Sequence, residues 1–97
     1  MTGTTRSSDG LDLRRRKLLF RAWHRGMREM DLIMGRFADA RVAGLNEAEL
    51  IEFERLIEVP DRDLLAWITG EETVTPDYDG ALFRELRDFH LNPGGGG

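Results

Sequence analysis

The chain has 97 residues, which suits a single domain with one modest core and leaves no room for an enclosed active-site cavity. Its 40% apolar and 33% charged residues are typical of a soluble globular protein rather than a disordered or membrane-embedded one, and the absence of cysteine excludes disulfides and thiol chemistry. No stretch approaches the roughly 20 apolar residues of a membrane span, and the polar N-terminus lacks the features of a secretory signal or transit peptide, so we expect a cytoplasmic protein without membrane insertion.

The net charge of −4 is divided unevenly along the chain. Residues 1–42 contain ten Lys and Arg against five Asp and Glu, a net +5, whereas residues 43–97 contain four against thirteen, a net −9. The basic half includes Arg14-Arg15-Arg16-Lys17, a run compatible with nucleic-acid binding. We favour the alternative that this run is a solvated helix face that complements the acidic half, because no nucleic-acid-binding motif accompanies it and the whole chain is acidic.

The first predicted helix covers residues 12–24 and follows a polar terminus, residues 1–10, that is expected to be disordered. Asp12 can cap this helix or place negative charge at its positive end. The helical period predicts a buried face that consists of Leu13, Phe20, Trp23 and Met27, with Leu19 at its edge. Gly26 is expected to end the helix, because glycine adopts left-handed backbone conformations without a Cβ penalty.

A second helix is predicted over residues 27–42, with Gly44 after its end. The third helix has the clearest start signal in the chain. Asn46 can cap it, and Glu49, three residues later, can complete a capping box. Pro60 is expected to end this helix, because proline interrupts a helical interior.

Two shorter helices are predicted in the remainder of the chain. The fourth opens at Asp61 or its neighbour and is closed by Gly70. The fifth begins at Asp77 or Asp79 after a loop, and Asn92-Pro93 stops it.

These elements predict an all-α chain, a small antiparallel five-helix bundle with short connections. No segment shows the strict alternation of a β-strand. We expect one helical domain over residues 11–91, preceded by the disordered residues 1–10 and followed by a flexible glycine tail, residues 92–97.

The residue types needed for catalysis are not assembled in this sequence. Two histidines, His24 and His90, without any cysteine do not favour a transition-metal site. Asp77, Asp79 and Gly80 resemble a calcium loop only briefly, because the glycine comes too early and the terminal glutamate is not at the required spacing. With no phosphate-binding glycine loop and no nucleophile elbow either, we predict that the chain is not an enzyme and has no cofactor or metal of its own.

Arg25, Gly26 and Glu29 form a charged junction between the first two predicted helices. If the helix continues or resumes at Gly26, Arg25 and Glu29 lie on one face and can pair, although a surface pair of this kind contributes only about 0.2–0.5 kcal/mol. A binding role would use the same groups more fully, since arginine offers a planar set of donors and glycine allows close approach of a partner. The spacing leaves both interpretations open: a helix cap with incidental charges, or a binding surface.

The run Arg25-Gly26-Met27-Arg28-Glu29-Met30-Asp31 resembles the Arg-Gly-x-x-Glu signature of the SdhE-type FAD assembly factors, bacterial relatives of succinate dehydrogenase assembly factor 2. The similarity extends over about residues 13–90. Three further stretches carry it: Leu19-Phe20-Arg21-Ala22-Trp23-His24, the segment from Leu45-Asn46 through Glu54-Arg55-Leu56-Ile57, and Pro60-Asp61-Arg62-Asp63-Leu64-Leu65-Ala66-Trp67-Ile68-Thr69-Gly70.

The resemblance implies a five-helix protein that assists covalent attachment of FAD to the flavoprotein subunit of succinate dehydrogenase, and in some bacteria of fumarate reductase. The family's Arg, Gly and Glu correspond to Arg25, Gly26 and Glu29, which would face the flavoprotein near its flavin, with Arg28 and Asp31 in the same run. The factor would hold no FAD of its own. Separately from the resemblance, we expect a monomer, although the sequence itself carries no signal for or against self-association. The resemblance leaves open which flavoprotein is the partner and whether FAD is touched directly.

Two other classes of function remain compatible with the residues alone. One is a helical nucleic-acid-binding module that uses the run from Arg14 to Lys17. The other is an interaction adaptor whose partner is not a flavoprotein. Binding to nucleic acid would show a steep salt dependence, which distinguishes the first from the second.

Overall fold

The computed structural model of the chain describes residues 10–92. Within them five α-helices follow in order, α1 (Leu13–Trp23), α2 (Arg28–Arg41), α3 (Glu47–Ile57), α4 (Asp61–Thr69) and α5 (Ala81–Leu91), with short 3-10 turns at Val42–Gly44 and Pro76–Tyr78 and no strand. This confirms the predicted all-α class with five helices. The predictions for residues 1–9 and 93–97 lie outside the described residues.

Local capping signals position the predicted helix ends. Asp12 accepts a hydrogen bond from the N–H of Arg15 at 2.8 Å and so caps α1. At the start of α3, Asn46 accepts from the N–H of Glu49 at 2.8 Å and the Glu49 carboxylate accepts from the N–H of Asn46 at 2.9 Å, which is the predicted capping box. Gly70 follows α4 with a φ of +85°, the left-handed conformation that glycine favours.

The prediction for the start of the last helix is wrong. α5 begins at Ala81 rather than at Asp77 or Asp79. The reason lies in α3, where Glu52 Oε2 accepts hydrogen bonds from the N–H groups of the second and third residues of α5, each at 3.1 Å. A carboxylate from another helix therefore satisfies the free amides of the first turn and adds negative charge at its positive end.

The buried face of α1 also differs from the prediction. The residues of α1 that enter the core are Leu18, Leu19, Ala22 and Trp23. Leu13 and Phe20, which were expected there, are 59% and 63% exposed. α1 is therefore rotated relative to the expected orientation, so that Leu13 and Phe20 share the solvent side with exposed basic side chains of the helix.

Close contact between α1 and α2 explains this rotation. Gly35 of α2 lies directly under the indole of Trp23, because a Cβ at residue 35 would be only 2.2 Å from Trp23 Cδ2. Trp23 Nε1 also donates a hydrogen bond to Asp39 Oδ1 at 3.2 Å. The indole is buried by this packing, as expected for Trp23, and it fixes which side of α1 faces inward.

The core lies between the five helices and is rich in aromatic groups. Its largest fully buried side chains include Phe37, Phe53, Phe83, Met30 and Met34. Phe37 and Phe53 meet edge to face with ring centroids 5.8 Å apart, a favourable aromatic geometry. Among the helices of residues 10–92, none has the length and apolar character needed to cross a membrane.

Candidate functional site

The junction between α1 and α2 forms a corner, residues 24–31, centred on a glycine with a left-handed backbone conformation. α1 ends at Trp23 and α2 begins at Arg28, so neither helix runs through Gly26. Gly26 has a φ of +101°, and a Cβ built there would have no atom within 4 Å. Glycine is therefore needed for the backbone conformation, and the space in front of it is open.

Asp31, in the first turn of α2, stabilises this corner through hydrogen bonds. Its Oδ1 accepts a hydrogen bond from the backbone N–H of Arg25 at 2.5 Å. Its own N–H donates to the carbonyl of Met27 at 2.9 Å. The carboxylate thus lies at the positive end of α2 while it holds the turn that contains Gly26, which makes Asp31 a residue that shapes the corner.

The side chain of Arg25 turns inward, away from solvent. Its guanidinium donates to Asp61 Oδ1, to the carbonyl of Ile57 and to the carbonyl of Val59, each at 2.6 Å. The side chain is only 5% exposed and that of Asp61 18%. Each nitrogen of the guanidinium thus has an acceptor inside the protein, in the turn between α3 and α4.

The predicted alternative, a pair between Arg25 and Glu29, is wrong because the two residues do not share a helix. Glu29 is exposed in the first turn of α2 and, within residues 10–92, its side chain makes no hydrogen bond or ion pair. Arg28 is likewise exposed and unpaired in the described part of the chain. The solvent-facing groups of the corner are therefore the backbone at Gly26, the cation of Arg28 and the anion of Glu29. The guanidinium of Arg25 is not among them.

Glu29 also borders a depression between α2 and α5 of about 210 Å³. Its polar edge carries Arg36 and His90, and its floor includes Leu32 and Phe89. Such a depression can accept an apolar side chain of a partner protein that has a charged residue next to it. No three His, Asp or Glu side chains within residues 10–92 are grouped so as to hold a metal ion.

The first two residues of the basic run, Arg14 and Arg15, are engaged in contacts within the chain. Arg14 binds Glu47 at 2.9 Å and Glu54 at 2.8 Å, and its hydrogen bond lowers the pKa of the Glu54 carboxyl below its usual range. The Arg15 guanidinium pairs with Asp12, the residue that caps α1, at 2.8 Å and donates from Nε to the carbonyl of Val42 at 2.9 Å. The two pairs of Arg14 support the interpretation that the run complements the acidic half of the chain, whereas Arg15 pairs within the basic half.

Asp61, the partner of Arg25, is not predicted by the sequence. The two residues are 36 positions apart, so no local spacing signal connects them. The sequence indicates only that Asp61 follows Pro60 at the start of a helix. The corner and the turn between α3 and α4 are in fact one unit, joined by a buried ion pair.

A model of one protein family matches residues 16–90 of the chain, and its description is flavinator of succinate dehydrogenase. Among curated proteins, the FAD assembly factor SdhE of Acetobacter pasteurianus is 37% identical over 94 residues, with 92% of this chain and 83% of that protein covered. The mitochondrial succinate dehydrogenase assembly factor 2 of Debaryomyces hansenii is 35% identical over 71 residues, covering 73% of this chain and 50% of that protein.

The same mitochondrial factor of Danio rerio is 30% identical over 89 residues, covering 90% of this chain and 56% of that protein. The chain thus spans about half the length of these mitochondrial relatives. It spans most of the bacterial one.

Proposed function

The chain belongs to the family described as flavinator of succinate dehydrogenase, and we propose that it promotes covalent attachment of FAD to the flavoprotein subunit of that enzyme or of fumarate reductase. The observation that carries this proposal is the family match over residues 16–90. The relatives are named as assembly factors, which agrees with the prediction that the chain is not an enzyme.

The proposed mechanism is positional. The chain docks on the flavoprotein and holds it so that its acceptor histidine, the flavin 8α carbon and an activating dicarboxylate are aligned. Correct positioning of reacting groups alone can lower a barrier by several kcal/mol, about 7–11 kcal/mol in the most favourable cases. The reacting groups all belong to the flavoprotein and its FAD, so the chain needs no cofactor of its own.

The structure supports a division of roles among the signature residues. We assign the contact with the flavoprotein to Gly26, Arg28 and Glu29, which are exposed and unpaired within residues 10–92. Arg25 and Asp31 do not contact the flavoprotein but fix the shape of the corner, since their polar groups are hydrogen-bonded within the chain. This refines the expectation that all five residues touch the partner.

Several accompanying features belong to the same proposal. The helices form an antiparallel bundle over residues 11–91, an arrangement supported by the short connections that join α1 to α2, α2 to α3 and α3 to α4. The chain acts as a monomer in the cytoplasm, binds no nucleic acid and does not insert into a membrane. The pairing of Arg14 and Arg15 inside the protein supports the view that nucleic acid is not the partner.

Co-expression tests the function itself. The flavoprotein subunit is expressed with and without this chain, and covalent flavin is read as fluorescence of the denatured subunit in a gel. We expect fluorescence to increase when the chain is present. Equal fluorescence in both cultures would contradict the proposed function for that flavoprotein.

A matched pair of variants tests the corner. Gly26→Arg places a large cation in the proposed contact and should abolish the stimulation. Gly70→Arg is the control, because Gly70 also has a positive φ, +85°, and open space for a Cβ, but lies at the far end of α4. Both variants carry a similar backbone strain, of about 1–3 kcal/mol. Loss of stimulation by both alike would show that strain rather than docking is responsible.

A further inference from the structure

The solvent side of α1 combines exposed apolar groups with positive charge. We call it the outer face of α1, and it consists of Leu13, Arg16, Lys17, Phe20, Arg21 and His24. Spacings of three and four residues place these side chains next to one another. Leu13 and Phe20 are mostly exposed, and the face borders two adjoining shallow clefts. Large exposed apolar groups bordered by polar ones are characteristic of protein-binding surfaces.

Phe20 is held in place although it is exposed. Its ring stacks on that of His24, with centroids 4.0 Å apart and planes within 17°. His24 Nδ1 lies 2.7 Å from the carbonyl oxygen of Phe20, and because that oxygen can only accept, Nδ1 donates the hydrogen bond. A ring that is already fixed loses little conformational freedom on binding, which is a property of the aromatic anchors of interfaces.

Two cations on this face form no ion pair within residues 10–92. Arg16 and Lys17 are exposed, and neither forms an ion pair or a side-chain hydrogen bond with another residue of the described range, 10–92. Arg21, by contrast, binds Glu58 at 2.8 Å. Complementary charges across an interface steer association, so a partner that binds next to Arg16 and Lys17 is expected to carry carboxylates.

The outer face is continuous with the corner. Phe20 and His24 line a cleft of about 400 Å³ together with Arg25, Pro60 and Asp61. The buried pair of Arg25 and Asp61 forms one wall of this cleft, and Gly26 follows directly in the chain. A partner seated on the corner therefore reaches the stacked rings without crossing another element.

We propose that the outer face of α1 docks an acidic segment of the flavoprotein subunit. An apolar side chain of that segment packs on the Phe20 ring, and its carboxylates pair with Arg16 and Lys17. This inference rests on the proposed function, which supplies the flavoprotein as the partner. An anionic membrane is a poorer match, because the face offers only two unpaired cations in a chain whose net charge is −4.

The test measures the dissociation constant between the full-length chain and the FAD-free flavoprotein subunit of the source organism by titration calorimetry. Phe20→Ser should weaken binding roughly tenfold or more, as removal of an interface anchor does. Ile51→Ser is the matched control, because Ile51 is 48% exposed on α3, outside the outer face, and should change the constant by less than about twofold.

Charge reversal tests the acidic character of the partner. Lys17→Glu should weaken binding at low salt, with a loss that shrinks as salt is raised. Arg84→Glu changes the net charge by the same amount at an exposed residue of α5 and should leave binding unchanged; it breaks only a surface pair with Asp79, and such pairs contribute about 0–1 kcal/mol. Both substitutions are on the surface, so the thermal midpoint of each variant should stay close to that of the parent chain.

The outcomes separate this inference from the proposed function. If the parent chain stimulates flavin attachment but Phe20→Ser binds as tightly as the parent, the inference is overturned and the proposed function stands. If the parent chain does not bind the flavoprotein, both are overturned. If Phe20→Ser instead abolishes self-association, or binding to phosphatidylglycerol vesicles, while flavoprotein binding is unchanged, the face belongs to another partner and the inference is again overturned.

Discussion

The buried contacts of Arg25 lead to a quantitative prediction about the isolated protein. Arg25→Ala removes three hydrogen bonds of 2.6 Å and leaves the Asp61 carboxylate, only 18% exposed, without its partner. Loss of one partner of a buried ion pair costs about 3–5 kcal/mol, because the remaining charge stays desolvated. That is a large fraction of the roughly 5–15 kcal/mol by which a small domain is stable.

Urea unfolding of the isolated chain measures this cost. Trp23 and Trp67 are buried and report the transition by fluorescence, and circular dichroism of the helices gives an independent reading. We expect Arg25→Ala to lower the free energy of unfolding by about 3–5 kcal/mol. Arg25→Lys should cost less, about 1.5–3 kcal/mol, because it keeps the charge and loses only part of the hydrogen bonding.

Arg28→Ala is the control, because Arg28 is exposed and has no partner within residues 10–92. Its substitution should change the free energy of unfolding by no more than about 0.5 kcal/mol. An Arg25→Ala protein as stable as Arg28→Ala would refute the reasoning, since the guanidinium would then be free in the isolated chain. A double-mutant cycle with Asp61→Ala should show a strong coupling between the two residues, and additive effects would also contradict the buried pair.

Three further predictions concern the remainder of the fold and are measured by urea unfolding. Gly35→Ala should destabilise the chain by about 1–3 kcal/mol, because the new Cβ collides with the Trp23 ring. Glu52→Ala should cost about 0.5–2 kcal/mol by removing the cap of α5. Arg14 lowers the pKa of the Glu54 carboxyl in the folded state, so the pair between them stabilises the fold at pH values above the ordinary pKa of 4.5 and stops doing so as the pH falls below that value. Glu54→Gln should therefore reduce the loss of stability between about pH 5 and 3.

Each of these predictions has its own control. Gly44→Ala should be tolerated, because the nearest atom to a Cβ at residue 44 is 3.7 Å away. Glu58→Ala, which breaks only an exposed pair, should cost less than Glu52→Ala. Identical pH dependence of the parent chain and Glu54→Gln would show that the Arg14 pair does not contribute to folding.

The sequence predicted those features whose determinants are close together in the chain. The capping box of Asn46 and Glu49 and the left-handed Gly70 depend on residues within a few positions of one another, so local pattern was sufficient. The corner at Gly26 belongs to the same class, since only a residue without a Cβ adopts its φ readily.

The features that the sequence did not predict depend on contacts between distant residues. The start of α5 is set by Glu52, thirty positions earlier, and the direction of Arg25 is set by Asp61, which is 36 positions away. The rotation of α1 follows from the packing of the Trp23 indole on Gly35. The spacing of apolar residues along a helix does not predict such a contact. The candidate site could therefore be located in sequence, while the roles of its residues required their three-dimensional partners.

Reconstitution from purified components tests the central claim most directly. The FAD-free flavoprotein subunit is incubated with FAD and a dicarboxylate, with or without this chain, and covalent flavin is measured over time in the denatured subunit. We predict a faster rate and a higher yield of covalent flavin with the chain. Gly26→Arg should give no stimulation, whereas Gly70→Arg should stimulate as the parent chain does. An unchanged rate in the presence of the parent chain would contradict the account.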